Sequence, residues 1–271
     1  MKKTKILSIL FWVISIILTF AISYYQKLTG PTYPVAVSHL ISNSEVKAVF
    51  PRSHPGDGPE TIKVYAGNPA LIGEMKYKRF KSYDDWRVIE MQRRGDSLFA
   101  EIPHQPPAGK VEYQVFLRDE NHTTVPLTEN PLIIRFRADV PALWMILHII
   151  FIFGAFMLSF RTGFEAVFKW DNAFKLTIFT VIFLFLGGLV FGPIIQKYSF
   201  DAFWTGWPFG TDLTDNKTLF ALIFWLIALW RTWKDRANRK WIIIAALVML
   251  IIFLIPHSMF GSEIDYTKIE Q

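Results

Sequence analysis

Five runs of apolar residues interrupt the chain, at roughly residues 6–24, 142–160, 176–195, 218–232 and 241–255. Crossing ~30 Å of hydrocarbon takes about 20 residues at ~1.5 Å rise each. Each run therefore predicts a membrane-spanning helix, the fourth only when its flanks are counted. Between the first two runs the period changes. Residues 44–50, 61–67, 74–80, 86–92, 97–103, 111–119 and 131–137 alternate or are rich in β-branched and aromatic residues, and Gly, Pro, Asn and Asp punctuate the gaps. About seven strands at such spacing predict a two-sheet sandwich of about 100 residues, with Trp86 as its expected core tryptophan. The expected organisation is an N-terminal anchor at 1–25, a β-sandwich at 26–140, a four-helix transmembrane bundle at 141–260 with an outer loop at 196–217, and a tail at 261–271. The first run has an alternative reading as a cleavable signal peptide ending near Ser23. It is longer than the usual 7–15-residue apolar core of such peptides, and Tyr24 and Tyr25 follow the would-be cleavage point, which favours a retained anchor.

Composition agrees with this pattern. Hydrophobic residues make up 52% of the 271 positions and charged residues 19%, below the ~25% charge of soluble domains. An ordinary soluble enzyme and a disordered chain are both excluded. The absence of cysteine excludes disulfides, thiolate metal sites, iron–sulfur clusters and a cysteine nucleophile. The net charge of +6 is unevenly placed: the start, residues 161–175 and residues 231–240 together carry about +8, and everything else about −2. Basic residues collect in short cytoplasmic loops. The expected orientation puts the N-terminus inside, with the β domain and the C-terminus extracytoplasmic. The positive balance then reports topology, and nucleic acid is not an expected partner.

The segment SLFAEIPHQPPAGKVEYQVFLRDENHTTVP, through Phe99, Ile102, Pro103, Gly109, Tyr113, Val115, Asp119 and Pro126, resembles the second half of fibronectin type III and immunoglobulin-like modules. The resemblance implies a sandwich fold and no activity. The pair FWTGWPFGTDLTDNKT and IPHSMFGSEIDY is similar to segments of uncharacterised bacterial inner-membrane proteins, which implies a multi-pass protein of that membrane. The expected fold class is thus a multi-pass α-helical membrane protein of about five spans, carrying an extracytoplasmic all-β immunoglobulin/fibronectin-like sandwich.

Candidate chemistry gathers near the outer side. His148 lies about seven residues into the second run, ~10 Å deep, and an ionisable group there is a functional hypothesis by default. Trp144, Ala155 and Ser159 share its helical face. His257 follows the last run. Two neutral imidazoles could ligate a b-type haem or a metal; the alternative is that His148 hydrogen-bonds a neighbouring helix while His257 caps the rim. Asp212, Asp215 and His257 could bind a divalent cation, or Asp212 or Thr214 could cap the fourth helix with Asp215 in its first turn. Trp204, Trp207, Phe209 and Asp201 are the expected outer-rim interaction surface, since aromatic rings suit the headgroup region. In the third run Gly188 and Gly192 form a GxxxG, which permits close helix packing. The basic stripe Lys76, Lys78, Arg79 and Lys81, with Arg87, Arg93 and Arg94 nearby, could meet anionic headgroups or glycan, or form a solvated strand face.

No P-loop, GxSxG elbow or HExxH pair is present, so no catalytic residue is assigned. The expectation is a non-catalytic protein whose sandwich and aromatic rim recognise or position a protein partner on the extracytoplasmic side, with the lipid bilayer around it. A membrane redox or metal protein using His148 and His257 is the rival. A small solute or ion carrier is the weaker third, because the spans hold almost no charge to line a path.

Overall fold

The computed structural model describes residues 4–256, 261 and 263–269. The chain divides into a helical unit, residues 1–31 with 140–261, and a β unit, residues 32–139 with 262–271.

The β unit contains β1 (Val35–Ile41), β2 (Ser44–Phe50), β3 (Ser53–Pro55), β4 (Glu60–Ala66), β5 (Ile72–Arg79), β6 (Arg87–Glu90), β7 (Gln92–Arg94), β8 (Ser97–Ile102), β9 (Lys110–Arg118), β10 (Thr124–Pro126) and β11 (Leu132–Arg137). One sheet runs β1-β2-β4-β8-β7 and the other β3-β11-β9-β5-β6, with β10 beside β9. The alternation in β2 and β4 sends Val46, Phe50, Ile62 and Val64 inward, where they share one buried cluster with Met75, Tyr113, Leu117 and Phe136 of the second sheet. The sheets are sandwich-like, as the period-2 pattern requires.

Three features depart from the sequence expectation. The β1–β2 hairpin turns on Ser42 and Asn43, both at positive φ. This is the backbone that a two-residue hairpin turn demands, and Asn tolerates it. The segment at 86–92 is not one strand. β6 pairs with β5, β7 pairs with β8 in the other sheet, and the chain changes sheet at buried Met91, whose N–H donates to Gly73 O at 2.8 Å. Gly73 is needed there, since a Cβ would lie 2.9 Å from the Met91 sulfur. Trp86 is 36% exposed and not a core residue. Its ring instead receives the ammonium groups of Lys76 and Lys78 at 5.0 and 5.2 Å.

The helical unit has four helices long and apolar enough to cross a membrane: α1 (Lys5–Thr29), α2 (Ala142–Val167), the continuous segment Ala173–Phe200, and α5 (Leu213–Lys234). The segment Ala173–Phe200 consists of α3 (Ala173–Phe185), a π-helical turn at Leu186–Phe191, and α4 (Gly192–Phe200). The last apolar run forms α6 (Lys240–Leu254), 15 residues long, a rise of only about 22 Å.

α2 extends past its apolar run and takes in Arg161 and Glu165, which the charge pattern assigns to a connecting loop. Both are buried and paired at 2.6 Å across one helical turn. Trp12 and Trp170 flank the guanidinium at 5.4 and 5.6 Å, and Arg161 donates to Ser8 Oγ at 3.4 Å. Phe11 packs on Phe164, Phe168 and Trp170 at 4.8 to 5.4 Å between centroids. The first helix is therefore an integral part of this packing. Five other buried hydroxyls, those of Ser15, Thr19, Thr162, Thr177 and Thr232, donate to carbonyls one turn back, which satisfies them locally.

Candidate functional site

A cluster of polar side chains lies where α4, the following loop and α5 meet. α4 ends because Asp201 adopts a left-handed conformation, φ 60°, with its N–H donating to Lys197 O. The loop then folds back on itself. The amides of Phe209 and Gly210 donate to Gly206 O, and that of Asp212 donates to Thr205 O, all at 2.9 Å. Gly206 admits no side chain, since a Cβ would sit 2.6 Å from that of Asp215.

One carboxylate caps the following helix and another holds this loop. Asp212 caps α5, accepting from the amides of Thr214 at 2.7 Å and Asp215 at 3.3 Å, which satisfies N-terminal donors that the helix leaves open. Asp215 Oδ2 accepts from Thr205 N at 2.7 Å, Gln196 Nε2 at 3.2 Å and Thr205 Oγ1 at 3.3 Å. Asn216 Oδ1 accepts from Trp207 N at 2.6 Å. Asp215 and Asn216 of the first turn of α5 thus restrain the loop backbone. Restraint of that kind fixes where the aromatic rings point. Trp204 is half-buried and donates through Nε1 to Trp207 O at 3.1 Å, whereas Trp207 and Phe209 are 69% and 83% exposed. Asp201 is exposed and paired with Lys197 at 2.6 Å.

His148 is elsewhere in the unit, half-buried against the π-helical turn. Its Nδ1 lies 2.8 Å from Gly187 O. A carbonyl can only accept, so Nδ1 carries the proton, and in the neutral form of the ring the lone pair is then on Nε2. The wide turn also places Gly187 O as acceptor for Gly192 N–H. Two glycines make the close approach possible: a Cβ on Gly187 would lie 2.7 Å from Ile152 N of α2, and one on Gly188 would strike the Thr218 methyl of α5. Glycine spacing in the sequence points to Gly188 and Gly192, while Gly187, the residue touching α2, is missed. The reason is that a π-turn inserts a residue into the helical frame on which GxxxG spacing relies.

The structure brings Asp212 and Asp215 together in one helical turn. His257 lies outside the described residues. Among the described residues no group of three or more His, Asp or Glu side chains is arranged to hold a metal. Two further polar residues escape sequence reasoning. Lys217 is buried and donates to Ile255 O at 2.8 Å, joining α5 to the end of α6. Gln196 is buried and donates to Thr205 Oγ1 at 2.6 Å. Neither carries a sequence signal, since a Lys in a polar stretch and a Gln at the end of an apolar run look solvent-facing.

The basic stripe is largely engaged within the β unit. Arg79 holds Asp84 through two 2.7 Å bonds, Arg93 donates to the carbonyls of Ala66, Asn68 and Leu71, and Lys78 pairs with Glu112 at 3.7 Å. The chain matches no protein-family model and no curated protein.

Proposed function

We propose that this is a non-catalytic protein of a bacterial inner membrane, whose extracytoplasmic immunoglobulin/fibronectin-like sandwich and aromatic rim recognise or position a protein partner. The observation that carries this reading is the use of the rim's polar groups. Asp215 and Asn216 bind main-chain amides of the loop and so fix it, Asp212 caps the helix that follows, and what that loop presents outward is Trp207 and Phe209. A reactive site needs polar groups directed at a ligand, whereas a recognition surface needs exposed aromatic rings on a rigid support.

Chain connectivity supports five crossings. Residues 263–269 fold into the β unit, which α1 enters and α2 leaves. Counting crossings from the β unit, the tail returns to the β side only if α6 also spans. A 15-residue apolar helix does so by local thinning of the bilayer and by its flanking residues. The basic segments then lie on the opposite, cytoplasmic side, consistent with the positive-inside bias.

A photo-crosslinking residue in place of Trp207 or Phe209 tests the recognition reading in membranes. A discrete protein adduct is expected, and crosslinking to lipid alone would remove the rim from the recognition surface.

A second reading, a haem or metal protein, is favoured by one observation. With Nδ1–H donated to Gly187 O, the His148 ring is oriented by a backbone carbonyl as ligating histidines commonly are, which leaves Nε2 as donor atom. An absorption spectrum and metal analysis of the purified protein separate the two. A Soret band lost in His148→Ala would establish haem, and a colourless, metal-free protein ends that reading.

A further inference from the structure

The C-terminal segment binds the β unit as a ligand binds a site. The carboxylate of Glu263 receives the ammonium groups of both Lys81 and Lys110. The backbone of the segment is held as well: Ile264 N donates to Ala108 O and Thr267 N to Lys81 O, each at 3.2 Å. Tyr266 is buried, with its ring 4.4 Å from the Arg79 guanidinium and its hydroxyl donating to Gln105 Oε1 at 3.3 Å.

The receiving surface is built for this occupant. The Lys110 side chain is only 9% exposed and stands close enough to Arg135 to be repelled by its charge. A buried ammonium beside a second cation is costly unless an anion compensates it, and the carboxylate of Glu263 supplies that charge. A Cβ on Gly109 would lie 2.7 Å from Gln105 Cβ and 2.8 Å from Pro106 O within its own loop, and 3.2 Å from the tyrosine hydroxyl, so the bare glycine serves both the loop and its occupant. Lys81 and Ala108, whose carbonyls grip the peptide backbone, both adopt left-handed φ. This is a strained choice for residues other than glycine, and it turns both loops around the bound segment. The features sum to a recognition mode: a carboxylate in a two-lysine clamp, main-chain hydrogen bonds, and an aromatic ring on an arginine three residues later.

The geometry points to a peptide-binding groove on the β unit, formed by Arg79, Lys81, Gln105, Gly109 and Lys110, that takes an acidic residue followed at the third position by Tyr. The chain's own Glu263–Tyr266 fills it in cis, and a partner's segment of the same chemistry takes it in trans by displacing the tail. The groove and its cis occupant stand on the contacts above; use by a partner rests on the recognition role proposed for the β unit.

The test uses the full-length protein, a full-length Glu263→Gln/Tyr266→Ala variant, and a fluorescein-labelled peptide with the sequence of residues 261–271. The labelled peptide is expected to bind the variant about tenfold more tightly than the wild-type chain, where the intact tail competes. A peptide carrying the same two substitutions is expected to lose about tenfold or more, and Lys110→Met in the variant chain to abolish binding. Equal or absent binding to both chains would overturn the groove. A second measurement covers a variant that fails to fold. The wild-type chain has no cysteine, so a nitroxide attached through Lys268→Cys reports the tail alone, and excess unlabelled peptide should convert its spectrum from immobile to mobile. A spectrum unchanged at every peptide concentration would make the tail a fixed part of the fold and end the inference. Either failure leaves the recognition role itself to be decided by the rim crosslinks.

Discussion

Replacing Glu165 with Gln removes one charge from a pair that has no access to water. The Arg161 and Glu165 side chains are 2% and 0% exposed and 2.6 Å apart. Gln preserves the shape and retains an oxygen to accept from Asn172 N, which donates to Glu165 Oε1 at 3.0 Å, so the change isolates the charge. Breaking a buried pair by removing one partner costs about 3–5 kcal/mol, because the other charge stays buried without compensation. The flanking rings of Trp12 and Trp170 lie on the guanidinium before the change as well as after it, so their cation–π attraction cancels in the difference. The expected loss is therefore about 3–5 kcal/mol. Replacing both residues, Arg161→Met with Glu165→Leu, removes the stranded charge and is expected to recover at least half of it, since apolar pairs of similar volume substitute for buried ion pairs at little cost. Equilibrium unfolding of the purified protein in mixed micelles, run as a double-mutant cycle, measures both effects. If Glu165→Gln costs less than about 0.5 kcal/mol, or the two single changes simply add, then water or lipid headgroups reach the pair and the burial argument is wrong.

Three further outcomes follow from the same contacts. Asp212→Ala removes the α5 cap, and a loss of about 1 kcal/mol should come with increased protease cleavage in the 202–211 loop, whereas an unchanged cleavage rate would mean the cap does not hold the loop. Gly187→Val forces a side chain against the α2 backbone; a destabilisation of about 1–3 kcal/mol is expected, while Val at neighbouring Leu189, which is half-buried, should cost less. The tail contact should depend on acid. Burial alone would raise the Glu263 carboxyl, but hydrogen bonds and charge from Lys110 and Lys81 outweigh it and hold the docked group below the ordinary range. Around it stand Lys81, Lys110, Arg135 and Asp265. Because the docked pKa is depressed, the stabilisation is complete above the free-carboxyl value of about 4.3 and is lost as pH falls through the docked value. The mobile fraction of a nitroxide at position 268 should stay constant from neutral pH to about 5 and rise below about 4.3; a rise already between pH 6 and 7 would implicate a different group.

Legibility differed between elements for identifiable reasons. Six of the seven expected strands reappear as single strands because their alternation reports burial on one face, and β2 and β8 fall almost where the pattern puts them. β1 is missed although its residues alternate, because the Ser42–Asn43 turn carries none of the Gly and Pro punctuation that marked the others. The split at Met91 is hidden because one run of β-prone residues serves two sheets in succession. Among the rim residues, Asp212 is legible as a helix cap from its position before an apolar helix. The role of Asp215 in holding the loop is not, because its partners Gln196 and Thr205 come from separate segments.

What the sequence determines by itself is local and periodic: apolar runs that need hydrocarbon around them, alternating segments that need a shared core, and a charge bias between the two sets of loops. These follow from solvation of individual segments, which depends on composition within a window of residues. Only the tertiary structure decides which residues become partners across such windows. Arg161 and Glu165 leave the loop to become a buried pair, Gly187 is chosen over the GxxxG frame by a π-turn, Trp86 moves from core to surface, and an apparently free tail becomes the occupant of a two-lysine clamp. Each of these depends on the approach of chain segments distant in sequence, and no local pattern encodes that distance.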